Sequence, residues 1–398
     1  MPEPKALTEL SLADLWTEVK GSSDPWGDLQ EGLVETMKKV LEATFEEEML
    51  EQLGVGWYGR NPDRVDYRNG YRQRCLVTRL GVIKNLRVPR SRDGAYQSQI
   101  LPQYARYEGS VEGLIRDAFV AGVSTRRVGE VIEPMVGAGV SAGTVSRIAK
   151  TLDAAVREFH QRPLKDDVVY LYLDGVYHKL KGVAAVERKV MLMIYAVRET
   201  GERELIAFRL ASSESEEEWE GFLNEVYRRG LEGRKLRLII TDGGSGLHGA
   251  LATVYGHVPR QRCWVHKLRN VVAKLPAGHR GECLKELRQV YLAETMRQAR
   301  KFYRAWAKKW QPLVPKVVEC MGKDIDDLLN FMREPEERAR MLRTTNVIER
   351  VFREVRRRTN PMSCFNDSAS CERIVYSVVS YQNSRWKDHP LPQFTHKY

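Results

Sequence analysis

The sequence predicts a mixed α/β protein: a sheet-based core interrupted by an all-helical block and preceded by helical and β segments. Three observations predict it. Three strand-like runs follow one another between residues 166 and 211, strand and helix then alternate, and from about residue 267 the pattern turns helical and strongly charged. Three strands able to form an antiparallel meander, followed by a fourth reached through a helical crossover, make a mixed sheet flanked by helices.

Composition narrows the class. The 398 residues are 42% hydrophobic and 29% charged, which describes a folded chain with room for two or three domains. Apolar runs such as Val190–Ile194 are too short to span a bilayer, and "MPEPKALTEL" has neither the basic start nor the apolar stretch of a secretory leader. A cytoplasmic protein with no membrane partner is therefore expected. Six scattered cysteines (Cys75, Cys263, Cys283, Cys320, Cys364, Cys371) suit free thiols in a reducing compartment. The net charge of +11 favours a polyanionic partner, nucleic acid first.

The elements follow in chain order. Residues 1–65 read as helical, with Leu33, Met37, Val40, Leu41 and Phe45 at helical spacing. Residues 66–105 form a small basic β-rich region, where Asn69-Gly70 and Leu80-Gly81 punctuate alternating segments. Arg68, Arg72 and Arg74 stand there beside Tyr67 and Tyr71, as on a surface for DNA; a solvated strand face is the alternative. Residues 106–165 hold a helix-turn-helix candidate. Ser124 or Thr125 caps a helix carrying Val128, Val131 and Ile132; Gly137 to Gly139 turn the chain; Ser141 caps a second helix with Val145, Ile148 and Leu152. That second helix presents Thr144, Arg147 and Lys150, side chains suited to bases and phosphates.

From Asp166 the period becomes that of strands. "VVYLYLDGVYHKLKG", "KVMLMIYAVRE" and "RELIAFRLASS" are the first three, "LRLIITDGG" the fourth and "RQRCWVH" a short fifth, with helices at "SEEEWEGFLNEVYRRG" and "GLHGALATVY". This order matches the ribonuclease-H-like fold. The catalytic core would then comprise residues 166–266 and 341–398, with the helical insertion at 267–340 between them. The insertion brings Trp306 and Trp310, as core or as a wedge for unpaired bases.

"TDGGSGLHG" contains G-x-G-x-x-G at Gly244, Gly246 and Gly249, but a dinucleotide site needs an acid about 20 residues later. The next carboxylate after Asp242 is Glu282, so the glycines read instead as a tight strand-to-helix turn beside Asp242. Asp242 and Asp174 each end an apolar strand and each precede glycine. Carboxylates on adjacent strands repel one another, and a divalent cation relieves this. A third acid is Glu349, on a helix whose apolar stripe is Ile348, Val351, Phe352 and Val355; Arg353 and Arg356 share its flank.

Around these residues "YLDGVY", "ITDGGSG", "CWVH" and "TTNVIERVFREVRRRT" resemble the Mutator-type bacterial transposases of the insertion-sequence-256 family. "YRNGYRQR", "VPRSRDG" and "VSTRRVGEVIE…VSAGTVSRI" extend the resemblance upstream to about residue 65. It implies a ribonuclease-H-like core with Asp174, Asp242 and Glu349 as catalytic acids holding two Mg²⁺ ions, for which Mn²⁺ would substitute. It implies nicking of the element's ends and joining of the 3′-hydroxyl to target DNA. The partners implied are double-stranded DNA, as terminal inverted repeats and target, and a second copy of the chain on that DNA. Cys263 and His266 are implied to order the site or contact the scissile phosphate. A buried structural pair and a zinc set with His279 and Cys283 are the alternatives. Arg356, Arg357 and Arg358 are expected on DNA phosphates. A catalytically silent DNA-binding regulator and a structure-selective nuclease of the same fold are the competing functions.

Overall fold

The computed structural model describes residues 12–54, 59, 65–181, 185–360, 365 and 367–395; Cys364 lies outside them. The chain divides into two compact units, Met1–Lys150 and Thr151–Tyr398.

In the first unit, α1 (Leu12–Gly21) precedes the long α2 (Pro25–Leu53). The Asp24 carboxylate accepts from the Gly27 N–H at 3.1 Å and Pro25 opens the helix; Gly54, at φ 65°, closes it. Phe45, Met49 and Leu53 are buried against Leu76, Ile83, Leu86 and Val88 of an antiparallel hairpin, β1 (Arg68–Thr78) and β2 (Gly81–Ser91). Each such side chain contributes about 1.5–3 kcal/mol on burial. Leu33 and Val40, expected in the same stripe, are exposed. The hairpin turns at Leu80-Gly81, whereas Asn69-Gly70 lies inside β1. There Gly70, at φ 66°, accompanies a register shift between Arg68 and Tyr71, a bulge rather than a turn.

Three helices complete this unit: α3 (Gly109–Val120), α4 (Thr125–Val136) and α5 (Ala142–Ala149). Ser124 and Ser141 cap the last two, accepting from Arg127 N–H and Thr144 N–H. Val128, Ile132, Val145 and Ile148 are buried, but Val131 faces solvent at 45% exposure.

The second unit begins with α6 (Leu152–Gln161) and is built on a five-stranded sheet: β3 (Val168–Lys181), β4 (Val186–Arg198), β5 (Arg203–Ala211), β6 (Leu238–Thr241) and β7 (Arg260–Arg262). Their spatial order is β5-β4-β3-β6-β7; β3–β4 and β4–β5 run antiparallel, β3–β6 and β6–β7 parallel. The protein is thus mixed α/β on a mixed sheet. Between strands lie α7 (Glu216–Arg228) and α8 (Ser245–Val254), whose Trp219, Phe222, Leu223, Leu247 and Leu251 join Leu171, Leu173, Ile194 and Ile239 in one core.

The fifth strand stops earlier than "RQRCWVH" suggested. Only Arg260–Arg262 pair with the short β6, and Cys263 then starts a helix, so Trp264 and His266 are helical. That helix, α9 (Trp264–Lys274), opens a block with α10 (Arg280–Tyr291), α11 (Met296–Trp310), α12 (Pro315–Gly322), α13 (Ile325–Leu329) and α14 (Glu336–Leu342). Trp306 and Trp310 are core here, 2% and 1% exposed; their indole N–H groups donate to the Cys283 carbonyl and the Glu286 carboxylate. The wedge expectation falls with their burial.

The block is fastened to the sheet by charge. Asp324 takes Arg262 Nη1 at 2.6 Å and also the buried ammonium of Lys267. Finally α15 (Asn346–Thr359), α16 (Ser368–Trp386) and α17 (Pro392–Thr395) return to the sheet. Trp386 packs edge-on to Tyr195, and the buried Arg373 pairs with Asp153 at 2.5 Å.

Candidate active site

The parallel pairing of β3 with β6 ends at Leu173↔Thr241, so Asp174 and Asp242 occupy the next level of neighbouring strands. Asp174 is 8% exposed and accepts from the Gly175 N–H at 2.8 Å. Asp242 accepts from the Gly244 N–H at 3.0 Å. Gly243, at φ 88°, makes the sharp exit, and a side chain there would strike the Arg262 guanidinium. Gly246 meets the backbone of residues 214–216 with no space for a Cβ. The glycines therefore serve the turn and the helix packing.

Glu349 reaches the same place from α15, whose Ile348, Val351, Phe352 and Val355 are buried. It lines a cavity of 640 Å³ with Asp174, His266, Arg269, Arg353, Arg356 and Arg357. Its Oε1 is buried without a hydrogen bond, 3.5 Å from His266 Nε2 and 3.6 Å from Arg269 Nη1. Burial, then the Asp242 charge, with a smaller push from Glu349, raises Asp174 to about 7.

His266 sits in the first turn of α9 and lines the cavity. Its pKa is raised first by its hydrogen bond with Cys263 and then by the charges of Cys263, Asp174 and Asp242, against the effect of burial. Burial pushes the Cys263 thiol up, but hydrogen bonds from His266 and Thr345 outweigh it and hold the thiol below its usual value. The zinc spacing does not become a site: His279 stacks edge-on to Trp310, and no three His, Cys, Asp or Glu side chains among the described residues converge as ligands. The other described cysteines, Cys75, Cys283, Cys320 and Cys371, are free.

Asp174, Asp242 and Glu349 offer only carboxylate oxygens. Their donor type fits a hard divalent cation, and so do the suppressed ionisation of Asp174 and the unsatisfied oxygen of Glu349. As they stand, Glu349 leans on His266 and Arg269 rather than joining the two aspartates round one point.

Arg358 is drawn aside to Glu354 at 2.8 Å, one helical turn away, while Arg353, Arg356 and Arg357 are exposed at the cavity. In the first unit Arg68 pairs with Glu46 at 2.7 Å, and Arg72 and Arg74 donate to carbonyls of residues 102–105. These three arginines are thus held by the protein itself. Arg147 is exposed with Glu112 3.8 Å away, Lys150 is exposed, and the Thr144 hydroxyl lies 3.0 Å from that of Ser141. Two site residues escaped the sequence reading. Arg269 follows His266 by three positions on one helix face, a spacing that could have found it. Glu214, whose carboxylate lies over Gly175, has no such signal.

Fold and cavity together define a basic α/β protein with a carboxylate site rimmed by arginines. The profile of the Mutator family of transposases matches residues 16–389, and the chain belongs to that family. It is 33% identical over 358 residues to the transposase for insertion sequence element ISRM5 of Rhizobium meliloti (strain 1021), spanning 90% of this chain and 89% of that one. It is 30% identical over 356 residues to the transposase for insertion sequence element IS256 in transposon Tn4001 of Staphylococcus aureus, spanning 88% and 90%. To the transposase for insertion sequence element IS406 of Burkholderia multivorans it is 32% identical over 337 residues, spanning 84% and 86%. No helix among the described residues is long and apolar enough to cross a membrane.

Proposed function

We propose that this transposase binds the terminal inverted repeats of an insertion sequence as a homodimer on DNA, nicks the element's ends, and joins the freed 3′-hydroxyl to target DNA. The observation that carries the reading is the juxtaposition of Asp174 and Asp242 on neighbouring strands, with Glu349 lining the same cavity as Asp174. The strand order β5-β4-β3-β6-β7 supports a ribonuclease-H-like core for them, and α4 with α5 supports a helix-turn-helix role for the first unit.

Asp174 and Asp242 would hold the metal, with Glu349 completing the set. Two Mg²⁺ ions, or Mn²⁺ in their place, would supply activation of the attacking hydroxyl and charge neutralisation at the phosphate. The chain's own side chains do the rest. Arg353, Arg356 and Arg357 bind the strand through its phosphates, and His266 orients the reacting phosphate. Water adds to phosphorus as the strand's 3′-oxygen leaves with a proton; that hydroxyl then attacks a target phosphodiester, one P–O bond forming as one breaks.

The test is cleavage and strand transfer on a labelled duplex carrying the element's end, with Asp174→Asn, Asp242→Asn and Glu349→Gln beside wild type. Loss of both reactions in all three with retained gel shift is expected. Undiminished cleavage would remove the acids from the mechanism, and binding without cleavage in wild type would indicate a silent regulator. Equal cutting of duplexes lacking the end sequence would indicate a nuclease.

A further inference from the structure

Thr345 precedes the first residue of α15 yet makes no capping bond to its own helix. At this position a threonine ordinarily accepts from an N–H two or three residues on, worth about 1 kcal/mol. Here the side chain turns the other way. It is fully buried, and its Oγ1–H donates to Cys263 Sγ at 3.4 Å while its backbone N–H donates to the same sulfur at 3.3 Å. Oγ1 also lies 3.4 Å from His266 Nδ1. Alongside, Trp264 N–H donates to the Arg343 carbonyl at 3.0 Å, and Glu349 N–H to the Thr345 carbonyl at 3.1 Å.

We infer that Thr345 is a positioning residue, which ties the first turn of α9 to the first turn of α15 and holds the His266 imidazole with Nε2 toward Glu349. The proton accounting supports a directed arrangement. The hydroxyl has one proton; with that proton on Cys263, Oγ1 is left to accept from Nδ1–H, and the hydrogen bond between His266 and the same sulfur draws the ring inward as well. Nδ1 is thereby committed to the interior and Nε2 to the cavity, 3.5 Å from Glu349. The forgone helix cap is the local cost of this arrangement. The inference rests on the reading of His266 as an active-site residue.

The experiment uses the full chain labelled with ¹³C,¹⁵N-histidine, the His266 ring signals being assigned by their loss in His266→Gln. Thr345→Val keeps the shape and removes the hydroxyl; Thr345→Ser restores it. Valine is expected to displace the His266 Nδ1 and ring-carbon resonances and to lower the cleavage rate constant roughly ten- to a hundredfold. The Kd for the element's end should stay within about twofold, and serine should recover both readouts. Unmoved ring signals in the valine variant, or a serine variant as impaired as valine, would overturn the inference. Should valine unfold the chain, Cys263→Ala is read by the same signals, and unmoved His266 resonances there overturn it equally. Displaced signals with normal cleavage in both the valine variant and His266→Gln, while Asp174→Asn stays inactive, would remove His266 from the active site and leave the acid reading intact.

Discussion

Asp174 and Asp242 stand side by side where the parallel pairing of β3 with β6 ends, one step beyond Leu173 and Thr241. Asp242 leaves its strand there, whereas β3 runs on past Asp174 to Lys181, so Asp174 does not end a strand as its sequence context suggests. Burial and the Asp242 charge hold the Asp174 carboxyl near 7, against about 3.9 in an unfolded chain. The native state then binds that proton more tightly, so stability falls as pH rises from about 4 through 7. A rise from the ordinary carboxylate range to about 7 bounds the effect at a few kcal/mol. Metal-free Asp174→Asn should exceed wild type by about 2 kcal/mol at pH 8 and match it at pH 4. Urea melts in EDTA across that range check this, and a pH-independent difference would refute it.

The three arginines at the cavity should differ from the fourth. Arg356→Ala or Arg357→Ala should weaken binding to the element's end and lower its logarithmic salt slope by about 1 each. Arg358→Ala, which breaks only the pair with Glu354, should leave the slope unchanged. Titrations between low and moderate salt decide it; equal slopes for all three variants would show that the cavity does not grip phosphate.

Gly246 and Gly249 face α7 differently. A Cβ on Gly246 would lie 2.4 Å from the Glu214 carbonyl oxygen, whereas on Gly249 it would meet the movable Glu216 carboxylate. Gly246→Ala is expected to destabilise by roughly 1–3 kcal/mol, Gly249→Ala by under about 1. The reverse order in denaturant melts would contradict the packing described.

Asp324 balances two cations, Lys267 and Arg262. Removing it leaves the buried Lys267 uncompensated, at a cost of about 3–5 kcal/mol for Asp324→Leu. Adding Lys267→Met should recover at least about half of that loss. If the double variant is no more stable than the single one, the ion pair is not what fastens the block.

Strand period and strand order were legible because β3, β4 and β5 are long apolar runs, and the carboxylates stood out because each interrupts such a run before glycine. The sequence runs the fifth strand on through Cys263 to His266, because Arg260–Arg262 pair only with the four residues of β6 and such short pairing has no period to detect. Asn69-Gly70 carries hairpin chemistry but serves a bulge, since pairing on either side of it continues. The partners of Arg68, Arg72 and Arg74 are a carboxylate on α2 and carbonyls some 30 residues on, contacts no local pattern encodes.

Cys263 and Thr345, which touch, are 82 residues apart, and all of α9 to α14 intervenes. Chain order therefore acts as a clock during synthesis. The third acid follows Asp242 by 349 − 242 = 107 residues, which at ribosomal speed is roughly 5 to 20 s. Throughout that interval a growing chain carries both aspartates without Glu349, so no polypeptide still short of residue 349 holds all of the proposed site.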